Sequence, residues 1–256
     1  MSDDRDDRPG PVPQVQRVKR PFLLARARTV FFSARRKEDG GRIKQRCDYG
    51  KLRFPETLSF MENCKHMSII LASGSPRRKE LMEMLGVKDL KIIPAQGEEK
   101  AAGDLPPAEL VMALASHKAH EVAARCGAED VILAADTIVW FHDRVYGKPH
   151  SEAEAAEMLR ALSGQTHEVY TGVSVIRGGR ELLRAERSAV RFRTLSQAEI
   201  AAYIATGEPM DKAGAYGAQG KAALFVEGIE GDFFNVMGLP LCTLGNMLKE
   251  QGVELL

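Results

Sequence analysis

The residues most able to do chemistry begin in one stretch, residues 68–81, which is suited to binding an anion. Its sequence predicts a buried strand over residues 69–72, a tight turn of small residues, and a helix that begins after the N-cap Ser75. A helix N-terminus presents bare backbone N–H groups, so phosphate is the obvious ligand. The alternative is a capped surface helix with solvated arginines. The side chains predicted to contact the anion are Ser73, Ser75, Arg77 and Arg78.

Two lysines could bring further positive charge to this site. Lys118 falls on the apolar face of a helix predicted over residues 107–124, four residues after Leu114 and four before Val122. A lysine on an inward face needs a partner or must extend its ammonium to the surface, and we expect a ligand phosphate as that partner. Lys148 lies in a Gly-Lys-Pro sequence, which is uninformative by itself.

Two acidic positions could serve a phosphate-binding site. Asp136 follows the apolar run 131–135, which is predicted to be a central parallel strand ending at Asp136 and Thr137. A carboxylate in such apolar surroundings must be hydrogen-bonded, paired or bound to a metal ion, unless a neighbouring turn satisfies it. Glu98 and Glu99 follow a second predicted strand, and one of them could face a divalent cation, although such paired acids are usually solvated.

The remaining sequence predicts alternating helices and strands that would carry these residues. A glycine at every third position in the segment 211–220 would give the backbone freedom close to a ligand, but the spacing is not a dinucleotide-binding fingerprint. Residues 231–240 are expected to form a turn and a short apolar segment. The other predicted elements are helices over 151–162, 197–205 and 241–251, a hairpin of strands 168–176 and 182–192, and a strand over 225–229.

Composition excludes several classes of protein. The 44% hydrophobic and 28% charged content is ordinary for a soluble protein, and no apolar run approaches the length of a membrane span. Four scattered cysteines without a CxxC pair indicate neither a zinc site nor a disulfide framework, and they fit a reducing cytoplasm. The GxxxxGK signature of P-loop hydrolases and the GxSxG signature of serine hydrolases are absent.

The charge balance changes near Met67. Residues 1–66 contain 16 Lys and Arg against 9 Asp and Glu, whereas residues 67–256 contain 20 against 26. We predict that residues 1–66 are a disordered basic extension without a catalytic part, and that residues 67–256 form the folded domain. The basic segment could bind nucleic acid or acidic lipid, or it could reflect an over-long translation start.

Taken together and in this order, the motifs resemble those of the Maf family of nucleoside triphosphate pyrophosphatases. The resemblance implies an α/β fold, with a long mixed β-sheet flanked by helices and two lobes around a central cleft. The glycine-rich loop 214–220 is similar to that of the family branch that acts on dTTP and UTP. The matching segments are residues 72–78, 98–99, 118–119, 135–137, 147–149, 162–167, 170–173, 211–220 and 235–240.

The resemblance implies hydrolysis of a nucleoside triphosphate between the α and β phosphates, which gives the monophosphate and pyrophosphate. It implies that Asp136 accepts a proton from water, but the sequence leaves open whether Asp136 does this or holds the metal. We expect Mg²⁺ or Mn²⁺ as the cofactor, with Glu99 as a further metal contact. Base selection is expected to fall to Thr137 and Gln219 with Arg78, because a side-chain amide offers both a donor and an acceptor.

The expected partners are the nucleoside triphosphate and, since members of the family are often dimers, a second copy of the chain. Neither a membrane nor nucleic acid is expected for the folded domain. The alternative function is that of a non-catalytic, nucleotide-binding regulator of cell division and septum formation. Such a regulator would keep the arginines and lysines but would not need Asp136.

Overall fold

The computed structural model describes residues 67–87, 89–97 and 105–256. The expectations for residues 1–66 and for Glu98 and Glu99 therefore lie outside the described residues. The strands are β1 (Ile69–Leu71), β2 (Lys91–Ile92), β3 (Val131–Phe141), β4 (Arg144–Tyr146), β5 (Thr166–Arg177), β6 (Arg180–Phe192) and β7 (Val226–Glu230). The α-helices are α1 (Pro76–Met84), α2 (Pro107–Ala123), α3 (Glu152–Leu162), α4 (Gln197–Ile204), α5 (Phe233–Met237) and α6 (Leu241–Glu250).

The strands form one mixed seven-stranded sheet in the order β2-β1-β3-β5-β6-β7, with β4 paired to β3. The strand β1 is parallel to both β2 and β3, and the other neighbours are antiparallel. Helices pack on the sheet, and the expected α/β class with a long mixed sheet is confirmed.

The strand β3 is longer than expected, and Asp136 lies within it rather than at its end. Its parallel pairing with β1 covers only residues 131–133. Its antiparallel pairing with β5 runs over residues 132–140, so β5 holds β3 extended well beyond Asp136. The expectation of a central parallel strand is therefore correct on one side of β3 only.

The segment 231–240 also differs from the expectation of a turn and an apolar segment, because it contains the short helix α5. The side chain of Asp232 caps this helix by accepting a hydrogen bond from the Phe234 N–H at 2.7 Å, and Gly238 ends it at a φ of 107°. The fully buried Asn235 donates from its amide to the Val169 carbonyl and the Ser188 hydroxyl. These bonds fix α5 against β5 and β6.

Two parts of the hydrophobic core lie toward opposite ends of the long strands. One part surrounds Phe192 and Tyr216 beneath α3 and α4. The other part fills both faces of the sheet around β1, with α1 and α6 on one face and α2 on the opposite face. These two lobes both contribute residues to the cleft described below.

The two-residue period of β3 determines which helix each of its side chains meets. Leu133 and Ala135 pack in the cluster that includes α1 and α6, whereas Ile132 and Ala134 pack against α2. Alternation along the strand therefore directs residue 136 toward α2 and residue 137 toward α1.

A close backbone contact sets the position of α2 on the sheet. Gly172 of β5 lies directly beside Asp136 in the register of the two strands. A Cβ atom at Gly172 would lie 2.2 Å from the carbonyl oxygen of Val111 in α2, a distance that no real contact allows. Since the obstacle is helix backbone, only glycine permits α2 to pack this closely.

We predict that Gly172→Ala lowers the free energy of unfolding by about 2 kcal/mol or more, because α2 must move away from the sheet. Denaturant unfolding measures this quantity. The matched control is Gly245→Ala in α6, where a Cβ meets nothing within 4 Å and the change should be neutral or stabilising. Equal stability of the wild type and Gly172→Ala would contradict this account of α2.

Candidate active site

One cleft of about 920 Å³ gathers the candidate residues that the structure describes. It is lined from the turn between β1 and α1 and the start of α1 on one side, from α2 and β3 at its base, and from the segments around residues 147 and 217. Glu99 is the one candidate that lies outside the described residues. The candidates that line the cleft are Ser73, Ser75, Arg77, Arg78, Lys118, Asp136, Thr137, Lys148 and Gln219.

The ammonium of Lys118 and the carboxylate of Asp136 form an ion pair at the base of the cleft. Lys118 Nζ lies 2.5 Å from Asp136 Oδ1, and the two side chains are 16% and 9% exposed. A buried carboxylate needs such a partner, because burying an isolated charge is costly. The expected inward position of Lys118 is confirmed, and Asp136 is one of its partners within the protein.

Arg78 ties three parts of the cleft wall together. Its Nε donates to the Gly238 carbonyl at 2.8 Å, Nη1 to Ser73 Oγ at 3.1 Å, and Nη2 to Thr137 Oγ1 at 3.0 Å. The planar fork of donors suits such a role. The guanidinium therefore fixes the turn before α1, the strand β3 and the segment after α5 relative to one another.

The hydroxyl of Thr137 has a defined orientation. Thr171 Oγ1 donates to the Asn235 carbonyl at 3.0 Å, and the two threonine hydroxyl oxygens lie 2.9 Å apart. Because the Thr171 hydrogen is used by Asn235, Thr137 must donate to Thr171. Thr137 then accepts from Arg78 and presents its remaining lone pair to the cleft. Thr171 and Asn235 lie in segments that carry the family resemblance, but neither was selected as a site residue, since their contacts depend on strand register and on α5.

The turn before α1 has the expected helix start, with Ser75 in extended conformation and Pro76 at the first helical position. The Ser75 hydroxyl makes no capping bond to any described residue. Instead, Ser73 Oγ accepts from the Ser75 N–H at 3.2 Å as well as from Arg78. Ser73 thus organises the turn, while Ser75 contributes its hydroxyl to the cleft lining.

Arg77 extends across the cleft mouth to the segment that precedes the glycine-rich loop. Its Nη1 donates to Asp211 Oδ2 at 2.9 Å, and Lys212 Nζ donates to Asp211 Oδ1 at 2.6 Å. Burial raises the pKa of Asp211, but the hydrogen bonds from Lys212 and Arg77 outweigh it and leave that pKa below its ordinary value. Asp211 and Lys212 lie in a segment that the sequence singled out, although neither was selected as a site residue.

The glycines of the loop 214–220 lie close against neighbouring side chains. A Cβ at Gly214, where φ is 68°, would lie 2.8 Å from Val139 Cγ2. At Gly217 it would lie 2.6 Å from Lys212 Cε, and at Gly220 it would lie 2.1 Å from a Glu208 carboxylate oxygen. The loop is therefore closely fitted to its neighbours, and it presents Gln219 to the cleft.

Tyr216 anchors this loop in the core. Its hydroxyl lies 2.8 Å from His167 Nε2, and both residues are buried. Burial raises the pKa of Tyr216 and lowers that of His167 to about 4. Both side chains are therefore neutral near neutral pH, and the anchor carries no charge.

Within residues 67–87, 89–97 and 105–256, no group of three or more His, Cys, Asp or Glu could hold a metal ion. Mg²⁺ does not require such a group, since it is often bound through one or two carboxylates together with substrate phosphates. Asp136 supplies a carboxylate of this kind in the cleft, so the donor set fits a cation that binds with its substrate.

Across the described part of the chain, no helix has both the length and the apolar character that a membrane span needs.

Comparison with known proteins identifies the family of this chain. The sequence matches the family described as Maf-like protein over residues 68–251. A dTTP/UTP pyrophosphatase from a strain of Bacillus cereus is 50% identical over 186 residues, which cover 73% of this chain and 96% of that protein. Another, from a second strain of Bacillus cereus, is 49% identical over 193 residues, 75% of this chain and 93% of that protein.

Among solved structures, a HAM1 protein from Coxiella burnetii covers 72% of this chain and 99% of its own, with 19% identity and a TM-score of 0.43. The family match covers well over half of the 256 residues, and the relatives are aligned over nearly their full length. The chain therefore belongs to the Maf family.

Proposed function

We propose that this protein is a nucleoside triphosphate pyrophosphatase that hydrolyses dTTP and UTP to the monophosphate and pyrophosphate, as part of nucleotide-pool housekeeping. Two relatives at 49–50% identity bear the name dTTP/UTP pyrophosphatase. The observation that carries the proposal is the gathering of the described candidate residues around the Asp136–Lys118 pair in one cleft.

The charge of the cleft suits a triphosphate. Among the residues that the structure describes, five cationic side chains line it against two carboxylates, those of Asp136 and Asp211. A triphosphate carries several negative charges, which such a set of fixed cations would bind and orient. The cationic residues are Arg77, Arg78, Lys118, Lys148 and Lys212.

In the proposed reaction, a water molecule attacks one phosphorus of the α–β phosphoanhydride, and the bond between that phosphorus and the bridging oxygen breaks. Asp136 accepts the proton of the attacking water, while Lys118 orients the carboxylate through its contact with Oδ1. The arginine and lysine side chains hold the phosphate oxygens as negative charge moves onto the bridging oxygen, which departs with the leaving group.

A divalent cation, Mg²⁺ or Mn²⁺, is part of the proposal. Asp136 would hold it together with substrate phosphate oxygens, and Glu99 is proposed as a second ligand outside the described residues. When bound, the cation would neutralise negative charge on the phosphates. The Asp136 carboxylate would then both accept the proton and contact the metal, while its Oδ1 also contacts Lys118.

Base selection is proposed for Thr137 and Gln219 with Arg78. Thymine and uracil carry an N3–H donor between two carbonyl oxygens, whereas cytosine has an acceptor at N3. The Thr137 hydroxyl directs its hydrogen to Thr171 and therefore offers only a lone pair to the cleft. Such a hydroxyl can accept a hydrogen bond from the N3–H of thymine or uracil. It cannot donate one to N3 of cytosine, so cytosine is disfavoured.

We also propose that the protein works in the cytoplasm and forms a homodimer. Among the described residues, Cys126 and Cys242 are free thiols, which is consistent with a reducing compartment. The homodimer rests on the family resemblance.

The function is tested with a panel of nucleoside triphosphates assayed for pyrophosphate in Mg²⁺ or Mn²⁺. We expect dTTP and UTP to be the best substrates and a chelator to abolish turnover. Binding of dTTP without any release of pyrophosphate would contradict the proposal and favour the non-catalytic regulator.

We predict that Asp136→Asn lowers kcat for dTTP by roughly 100-fold or more, because the amide cannot accept the proton of water. Turnover is measured by pyrophosphate release, and circular dichroism checks that the fold is kept. The matched control is Asp143→Asn in the exposed β3–β4 turn, which should retain wild-type kcat. Near-normal turnover in Asp136→Asn would remove this residue from the mechanism.

We predict that Thr171→Val reduces the preference for UTP over CTP by about tenfold in kcat/KM, because Thr137 could then rotate and donate to cytosine N3. The ratio of the two kcat/KM values is the readout, so a general loss of activity would not imitate the effect. Thr243→Val, where the hydroxyl bonds Glu186 away from the cleft, is the matched control. An unchanged ratio in Thr171→Val would show that this hydroxyl chain does not select the base.

A further inference from the structure

Lys212 is a lysine whose side chain is largely buried at the edge of the cleft. Its side chain is 12% exposed and lines the cleft. The stem packs over Gly217, where even a Cβ atom would lie 2.6 Å from Cε. The ammonium donates to the Glu208 carbonyl at 2.7 Å and to Asp211 Oδ1 at 2.6 Å. The loop is thus shaped to hold this one ammonium in place.

Asp211 joins Lys212 to Arg77. Its two carboxylate oxygens are divided between the two cations, Oδ1 to Lys212 and Oδ2 to Arg77. Because two cations share one carboxylate, the three side chains together carry a net positive charge. Both cations line the cleft, so this charge is available to an anion there.

We propose that Lys212 is a further phosphate-binding residue of the cleft and that Asp211 is the positioning residue that holds it beside Arg77. This inference rests on the proposed function for its ligand, a polyphosphate.

A purely structural role explains the arrangement less well. The Asp211 side chain is 60% exposed, and exposed ion pairs contribute little to stability. An ammonium has three N–H donors, and the contacts within the described residues use two of them. The remaining donor suits a phosphate oxygen, because charge-assisted bonds of this type are among the stronger hydrogen bonds in proteins.

The test measures binding of inorganic pyrophosphate and of thymidine, each with Mg²⁺, by calorimetry on the full chain. Pyrophosphate is the proposed product, and thymidine has no phosphate. We expect Lys212→Met to weaken pyrophosphate binding by roughly 10- to 100-fold and to leave thymidine binding unchanged. Asp211→Asn should weaken pyrophosphate binding by about 3- to 10-fold, since Lys212 and Arg77 lose their shared anchor.

The matched controls are Lys79→Met and Glu83→Gln, which remove the same charges from an exposed ion pair on α1. Both controls should bind pyrophosphate like the wild type. If Lys212→Met does not fold, Lys212→Gln removes the charge while keeping a donor for the Glu208 carbonyl. Equal losses for thymidine and pyrophosphate would indicate a general disturbance of the cleft and would overturn the assignment.

The failure of this inference is distinguishable from the failure of the proposed function. Wild-type hydrolysis of dTTP together with unchanged pyrophosphate binding in Lys212→Met and Asp211→Asn would overturn the inference alone. A wild type without hydrolysis, whose pyrophosphate binding still depends on Lys212, would overturn the function and leave the phosphate site supported. Tighter binding of pyrophosphate by Asp211→Asn would show that Asp211 competes with phosphate and would overturn its positioning role.

Discussion

The ion pair between Lys118 and Asp136 is the interaction on which the cleft depends, and the packing of α2 makes it available. The helix lies against β5 where Gly172 has no side chain, next to Asp136 in the strand register. Lys118 follows Val111 by two helical turns and therefore projects from the same face of α2. Its ammonium meets the Asp136 carboxylate in a site where neither charge is left without a partner.

The remaining walls of the cleft are joined by cationic side chains that hydrogen-bond to other segments of the protein. Arg78 connects the turn before α1, β3 and the segment after α5, while Arg77 and Lys212 meet at Asp211. A site whose cations already occupy fixed positions needs little reorganisation when a substrate develops charge. The same bonds orient Thr137, so the phosphate-binding and base-selecting parts of the proposed site share one network.

Much of this arrangement could be predicted from the sequence because it depends on local rules. The strand–turn–helix at residues 69–84 follows from an apolar run, small residues and Pro76. The long hairpin of β5 and β6 follows from alternation around Gly178 and Gly179. The inward position of Lys118 follows from the helical period of its neighbours.

Other features depend on contacts between distant segments and could not be predicted in this way. The extension of β3 beyond Asp136 requires the pairing with β5. The close approach of Lys212 and Glu208 to Gly217 and Gly220 could not be predicted either, because no local pattern brings these side chains to the loop. The helix α5 is different, because the N-cap Asp232 and the terminal Gly238 were visible in the sequence and would have indicated it.

The proposed function requires that one cleft holds a triphosphate beside the Asp136–Lys118 pair. A crystal structure with Mg²⁺ and the α,β-imido analogue of dTTP, whose bridging nitrogen resists hydrolysis, tests it most directly. We expect phosphate oxygens within hydrogen-bond distance of Arg77, Lys148 and Lys212, with the Asp136 carboxylate facing the α–β bridge. A nucleotide bound outside this cleft, or one with its phosphates turned away from Asp136, would contradict the account.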